Sequence, residues 1–490
     1  ELHDGWKYYL EEAEQEPEVQ AELAKIREEY AKLKPEDIKL IDPCMGSGHI
    51  LVYAFDVFMQ IYENAGWSAR EAAQSIVENN IYGLDIDDRA AQLSYFAVMM
   101  KARQYDRRIF TRGVRPNVYA IQESNGINRK QLKYFGAELD EMEKNTAILQ
   151  MEGLLDTLTD AKEYGSILNV DAYDWDLLRK FVSSTDVDGQ ISFDTYGLDE
   201  TEEKLKELIE IGAIMAQKYD VVATNPPYAG TSNLSAKVND FVKNHYPDSK
   251  VDLFAVFIER CGEMLKTDGY QAMITQHAWM FLSSYEKLRN RILDNCIINL
   301  VHLGAKAFDE IAGEVVQTAS FVIRNQNNNQ YIGTYIRLVD GQNQDEKERM
   351  YLRKTGCYFA LQNNYGYIQG SPIAYWASMA IIEAFENGVK LKQNGDTRQG
   401  MATSDNNRFL RLWHEIPFNK LGIGLNSSEA QISDKKWFPY NKGGSYRKWY
   451  GNMDYVINYE NNGFEVKQYA THLYKTASRT IKSMSEYFKQ

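Results

Sequence analysis

Asn225, Pro226, Pro227 and Tyr228 follow one another directly after the apolar, β-branched run "YDVVAT" (219–224). Neither proline can donate a ladder hydrogen bond and both fix φ, so a strand ending at 224 has to stop there. The amide and the phenol are then held rigidly at a strand's carboxyl end, where open α/β sheets bind ligands. Asn-Pro also opens ordinary turns, which is the plainer interpretation of the same four residues.

A second constellation is "DPCMGSGH" (42–49). Gly46 and Gly48 allow close approach of a ligand to the backbone at the start of a helix, whose free N–H groups favour an anionic moiety. No Gly-Lys-Ser/Thr follows, so this is not a phosphate-binding P-loop. Asp85, near the end of "IYGLDID" (81–87), stands where a carboxylate accepts both hydroxyls of a ribose, and this implies a nucleoside-containing cofactor.

The elements that must position these residues alternate. Strands are expected at 38–43, 81–87, 117–122, 219–224, 270–276, 298–304 and 318–324, with amphipathic helices after the glycine turn, over 89–104 and over 252–266, the last closed by the turn "TDG". Such alternation predicts a doubly wound, mainly parallel sheet with helices on both faces. Residues 126–215 break the rhythm as a largely helical insertion. Residues 6–34 have the composition of a solvated helical lead-in broken at Pro17, giving a first segment of 1–37. Beyond about 330 the periodicity fades, which sets the expected domains at 38–330 and 331–490.

Composition narrows the class. The chain has 490 residues, 44% apolar and 25% charged, enough for two or three domains with full cores. No apolar run approaches the length of a membrane span, and Cys44, Cys261, Cys296 and Cys357 have neither metal-ligand spacing nor a disulfide pattern, which fits a reducing, cytoplasmic setting. The histidines show no metal-ligand pairing, so no metal is expected. Cys44 suits a small residue inside the glycine turn better than a nucleophile. The net charge of −14 divides unevenly: residues 331–490 carry 21 Lys+Arg against 15 Asp+Glu, leaving −20 on the rest. The basic, aromatic stretch "YNKGGSYRKWY" (440–450) offers cations to phosphates and rings to bases, or is simply a solvated surface.

"DPCMGSGH", "LDID" and "NPPY", in this order at successive strand ends, resemble the cofactor and catalytic motifs of gamma-class N6-adenine DNA methyltransferases. "IDPCMGSGHILVYAFDVF" (41–58) and "RQGMATSDNNRFLR" (398–411) are similar to the PglX-type methyltransferases of BREX phage-defence systems. The resemblance implies a class I, Rossmann-like methyltransferase fold with a C-terminal α+β part of a target-recognition domain. It implies S-adenosyl-L-methionine as cofactor, with Asp42, Pro43, Gly46 and Gly48 around its methionine part, Asp85 on the ribose, Ile86 against the adenine, and Asn125 or Asp171 on the adenine amine, Asn125 being preferred. Double-stranded DNA would be the substrate, with other phage-defence subunits as further partners.

An adenine N6 amine is a poor nucleophile because its lone pair is delocalised into the ring. With the Asn225 side-chain oxygen and the Pro226 carbonyl accepting its two N–H groups, the amine is driven toward a pyramidal form with its lone pair on the incoming methyl. Tyr228 would stack on the flipped base, and the resemblance adds Phe308 as a second stacking face. The family's aromatic-Thr-Pro stretch ahead of the glycine turn has no match in residues 1–37, so the chain is expected to be a fragment. Two other functions share the motifs: a glutamine N5 protein methyltransferase, which presents a similar planar amide, and a non-catalytic DNA-binding or assembly subunit that retains the fold.

Overall fold

The computed structural model describes residues 2–185, 196–307, 316–328 and 330–488. They divide into two compact units, Glu1–Asn387 and Gly388–Gln490.

The first unit is built on a nine-stranded sheet of β1 (Leu40–Asp42), β2 (Ile81–Asp85), β3 (Asn117–Ala120), β4 (Tyr219–Thr224), β5 (Leu265–Gln276), β6 (Cys296–Gly304), β7 (Thr318–Arg324), β8 (Ile332–Arg337) and β9 (Cys357–Leu361). Their spatial order is β3-β2-β1-β4-β5-β7-β6-β8-β9. The first five in that order are mutually parallel, and β7 inserts antiparallel between β5 and β6. This is the class I methyltransferase arrangement expected from the sequence, extended at one edge by β8 and β9. Because those strands continue the sheet, the first unit runs past 330 to Asn387, and the boundary expected near 330 is corrected accordingly.

Successive residues of a strand face opposite sides of the sheet, so each strand feeds two cores. Leu40 packs with Leu51, Phe55 and Phe58 of the helix His49–Asn64 and with Val98 of the helix Asp88–Tyr105. Its neighbour Ile41 joins the opposite core with Leu154, Phe181 and Ile209. Those three come from the helices Glu141–Thr157, Trp175–Ser183 and Leu198–Ala216, so the described residues of the insertion are largely helical and cover one face of the sheet.

Two local expectations change. The "TDG" turn does not separate helix from strand: β5 starts at Leu265 and carries Asp268 at φ 62° through a register irregularity against β4. Pro17 does not break a helix but begins one, Pro17–Tyr30, at the position where its missing N–H costs nothing. Residues ahead of it meet the start of β8, where Gln15 exchanges hydrogen bonds of 2.8 and 2.9 Å with the backbone of Ile332. Val19 and Leu23 are buried against Cys296 and Tyr331, so this segment is packed rather than solvated.

The second unit holds a three-stranded antiparallel sheet, β10 (Leu410–Leu412), β12 (Tyr455–Asn458) and β11 (Trp437–Tyr440) in spatial order, with the helix Glu460–Tyr474 on a core of Phe409, Phe438, Ile457 and Val466. This unit carries 16 Lys+Arg and 9 Asp+Glu. None of the described helices is long and apolar enough to cross a membrane.

Candidate active site

Three adjacent parallel strands, β2, β1 and β4, end side by side, and their tips are tied together by side chains. The Asp42 carboxylate, 1% exposed, accepts the Thr224 hydroxyl at 2.7 Å and the Cys44 backbone N–H at 3.0 Å. Burial pushes this carboxyl up to about 7, against the two hydrogen bonds that favour its charge. Asp85 accepts the Gly46 N–H at 2.9 Å through one oxygen and the Asp87 N–H at 2.9 Å through the other. Its orientation is thereby fixed, and each oxygen keeps a second lone pair for a hydroxyl.

The turn between β1 and its helix needs its glycines for different reasons. Gly48 has φ 81° and caps the helix, and a Cβ there would lie 2.4 Å from Ser94 Oγ. Gly46 has φ 51°, and a Cβ there would meet nothing within 4 Å, so the turn opens onto free space. That opening beside a fixed carboxylate fits a nucleoside-bearing group. Burial also raises the Cys44 thiol well above its ordinary value, which keeps it protonated and suits a structural residue.

Beyond β4, Pro226 is buried while Asn225 is exposed. The Tyr228 hydroxyl lies 3.2 Å from both Asn225 Oδ1 and the Ile274 carbonyl, so its one proton serves one of them at a time. Burial pushes the phenol up to about 12, and it stays neutral across the physiological range. The loop is held from behind by Asp252, which accepts the Ala229 N–H at 3.0 Å and caps the helix Leu253–Glu263.

Of the remaining residues singled out from the sequence, Ile86 is 53% exposed just past β2. Asn125 follows β3, but both ends of its amide are engaged by Asp160, donating at 2.7 Å and accepting at 2.8 Å. Asp171 is exposed in the segment between Ile167 and Trp175. Phe308 lies outside the described residues.

Some contacts had no sequence signal. Ser166, in the short 3-10 turn Gly165–Ile167 of the insertion, donates to the Pro43 carbonyl at 2.6 Å, and a Cβ on Gly165 would stand 2.8 Å from Ile86. The insertion therefore borders the cofactor-side turn. At the tips of β5 and β6, His277 Nδ1 and His302 Nε2 are 2.7 Å apart, and His302 Nδ1 is 3.1 Å from the Tyr375 hydroxyl. Burial lowers both imidazoles, His302 to about 4. Only Asp252 was recoverable, as an acidic residue opening an amphipathic helix.

Residues 79–308 match the family described as Eco57I restriction-modification methylase. Over 94% of its length the chain is 42% identical to the adenine-specific methyltransferase PglX of Lacticaseibacillus casei, and over 95% it is 43% identical to the adenine-specific methyltransferase BrxX of Escherichia coli O9:H4. The chain is a homologue of these two methyltransferases. It spans 38% and 39% of their respective lengths. The resemblance drawn from the motifs is thus borne out.

Within the second unit, the segment 440–450 presents Tyr446, Trp449 and Tyr450, each at least 79% exposed, together with Arg447 and Lys448. Lys442 Nζ sits 4.3 Å from the centre of the Tyr455 ring.

Proposed function

We propose that this chain transfers the methyl group of S-adenosyl-L-methionine to the N6 amine of a flipped-out adenine in double-stranded DNA, as part of host-DNA marking in phage defence. The observation that carries this is the junction of three strand tips at one rim, where Asp42, Gly46 and Asp85 lie alongside Asn225 and Tyr228. The names of the two homologues support the same reading, and other defence subunits are the natural further partners of such a protein.

In this reading Asp85 holds the ribose hydroxyls, with Ile86 beside the adenine ring. Asp42, Pro43, Gly46 and Gly48 border the methionine end, and Asn125, in the segment that follows β3, is the candidate for the adenine amine. Rotation of that amide toward a ligand has to break its two bonds to Asp160. The cofactor supplies an electrophilic methyl on a sulfonium. The chain's contribution is positional: Asn225 and the Pro226 carbonyl accept the two substrate N–H groups, Tyr228 offers its ring face, and the prolines keep this geometry without rearrangement. Phe308 is proposed as the opposite stacking face. The second unit, with its excess of basic residues, would supply part of the duplex contact.

The test is incubation with methyl-labelled S-adenosylmethionine and either unmodified duplex DNA or a release factor, beside Asn225→Ala. Label on DNA, absent in the variant, is the expected result. Label on the protein substrate would instead make the chain a glutamine methyltransferase. DNA retention in a shift assay with no label anywhere would make it a binding subunit.

A further inference from the structure

Far from the rim just described, toward the start of β5, a guanidinium is buried without a counter-charge. Arg324 is 2% exposed and stands between Tyr270 of β5 and Cys296 of β6, its cross-strand partners on one face of the sheet. The helix Pro17–Tyr30 covers this face. Arg324 forms no ion pair among the described residues. Its Nε has no hydrogen-bond partner there, one terminal nitrogen reaches only the Cys296 sulfur at 3.8 Å, and its carbon lies 5.7 Å from the Tyr331 ring centre.

This side chain lines a cavity of about 290 Å³ between helix and sheet. Two carboxylates share the lining, and both are already satisfied: Glu12 by Arg27 and, at 2.8 Å, by the Tyr331 hydroxyl, and Glu11 by Lys354 at 2.9 Å. Of the four charged side chains in the lining, Arg27 and Glu12 pair with each other and Glu11 pairs with Lys354 outside it, which leaves Arg324 as the one with no ion pair among the described residues. A buried guanidinium lacking a partner is costly, and its planar fork matches the two oxygens of a carboxylate or phosphate. Tyr270 and the amide of Asn299 also line the space and supply further polar groups, the Tyr30 hydroxyl beside them already donating to the Asp268 carbonyl at 2.7 Å, while Leu23, Ile26 and Ile298 form an apolar wall.

We propose that this cavity is a binding site for a compact oxyanion, a phosphate or a small carboxylate, held by the Arg324 guanidinium. It is separate from the methyl-transfer rim and does not depend on that assignment. An oxyanion here would pin the helix Pro17–Tyr30 to the sheet, since the cavity walls come from both.

The experiment is equilibrium dialysis of the full chain at constant ionic strength, with inorganic phosphate in one arm and acetate in the other. One saturable site per chain is expected in at least one arm, and the arm that saturates identifies the source of the oxyanion. Arg324→Gln should weaken that site at least tenfold. Asn299→Asp keeps the guanidinium but adds a carboxylate to the lining, so it should weaken the site likewise, and it serves if Arg324→Gln does not fold. Absence of saturable binding in both arms, or affinities in a folded variant equal to that of the parent, would mean that the cavity holds water only and would overturn the proposal.

Discussion

The Thr224 hydroxyl donates to the Asp42 carboxylate across 2.7 Å, joining the last residue of β4 to the last residue of β1. The two strands thereby deliver the amide motif and the glycine turn at one level, with Asn225 immediately following. Thr224→Val removes the donor and leaves a buried carboxyl oxygen with one partner fewer. A loss of about 1–3 kcal/mol in unfolding free energy is expected from urea titration, and a change within error would show that the bond does not hold the rim together.

Asp42 also sets a pH dependence. Its folded value of about 7 lies above the ordinary 3.8, so between those values the native state binds a proton that the unfolded chain releases. Stability from this group is therefore complete below about pH 4 and falls as pH rises, levelling off above about 7, with an order-of-magnitude amplitude of roughly 4 kcal/mol. Asp42→Asn should remove that slope in the ligand-free protein. Chemical denaturation of both proteins from pH 4 to 8 measures it, and parallel curves would contradict the assignment.

The roles proposed for the Tyr228 ring and hydroxyl can be separated by substitution. Tyr228→Phe keeps a stacking face but frees Asn225 Oδ1 from its 3.2 Å neighbour, so methylation should fall less than about tenfold, whereas Tyr228→Ala should cost about 1–3 kcal/mol of base stacking as well. Equal rates in the two variants would remove the ring from the substrate site.

Gly48→Ala should destabilise the protein by at least about 1 kcal/mol, since φ 81° disfavours any side chain and the new Cβ meets Ser94 Oγ at 2.4 Å. Adding Ser94→Ala should recover only part of the loss, because Ser94 Cβ and Cα remain at 3.0 and 3.1 Å. Full recovery in a thermal melt would show that the hydroxyl alone is responsible.

Neutralising Lys442, Arg447 and Lys448 should weaken duplex binding and flatten its salt dependence, each lost phosphate contact lowering the log–log slope by about 0.9. Binding isotherms between low and moderate salt decide this, and an unchanged slope would take 440–450 out of the interface.

Locally determined features were legible in the sequence. The runs "YDVVAT" and "TASFVIR" became β4 and β7 with the expected bounds, because β-branched residues and adjacent breakers act over a few positions. The alternation of strands and helices sufficed for the sheet class, and the prolines for where β4 stops. Tertiary structure alone decided which side chains meet. Asp42 and Thr224 are 182 residues apart, Ser166 and Pro43 are 123 apart, and no periodicity links them. It also decided that β8 and β9 extend the sheet, and that a segment rich in Glu and Lys is packed through Val19 and Leu23. Edge pairing and burial depend on what the rest of the chain leaves uncovered, and only the assembled fold contains that information.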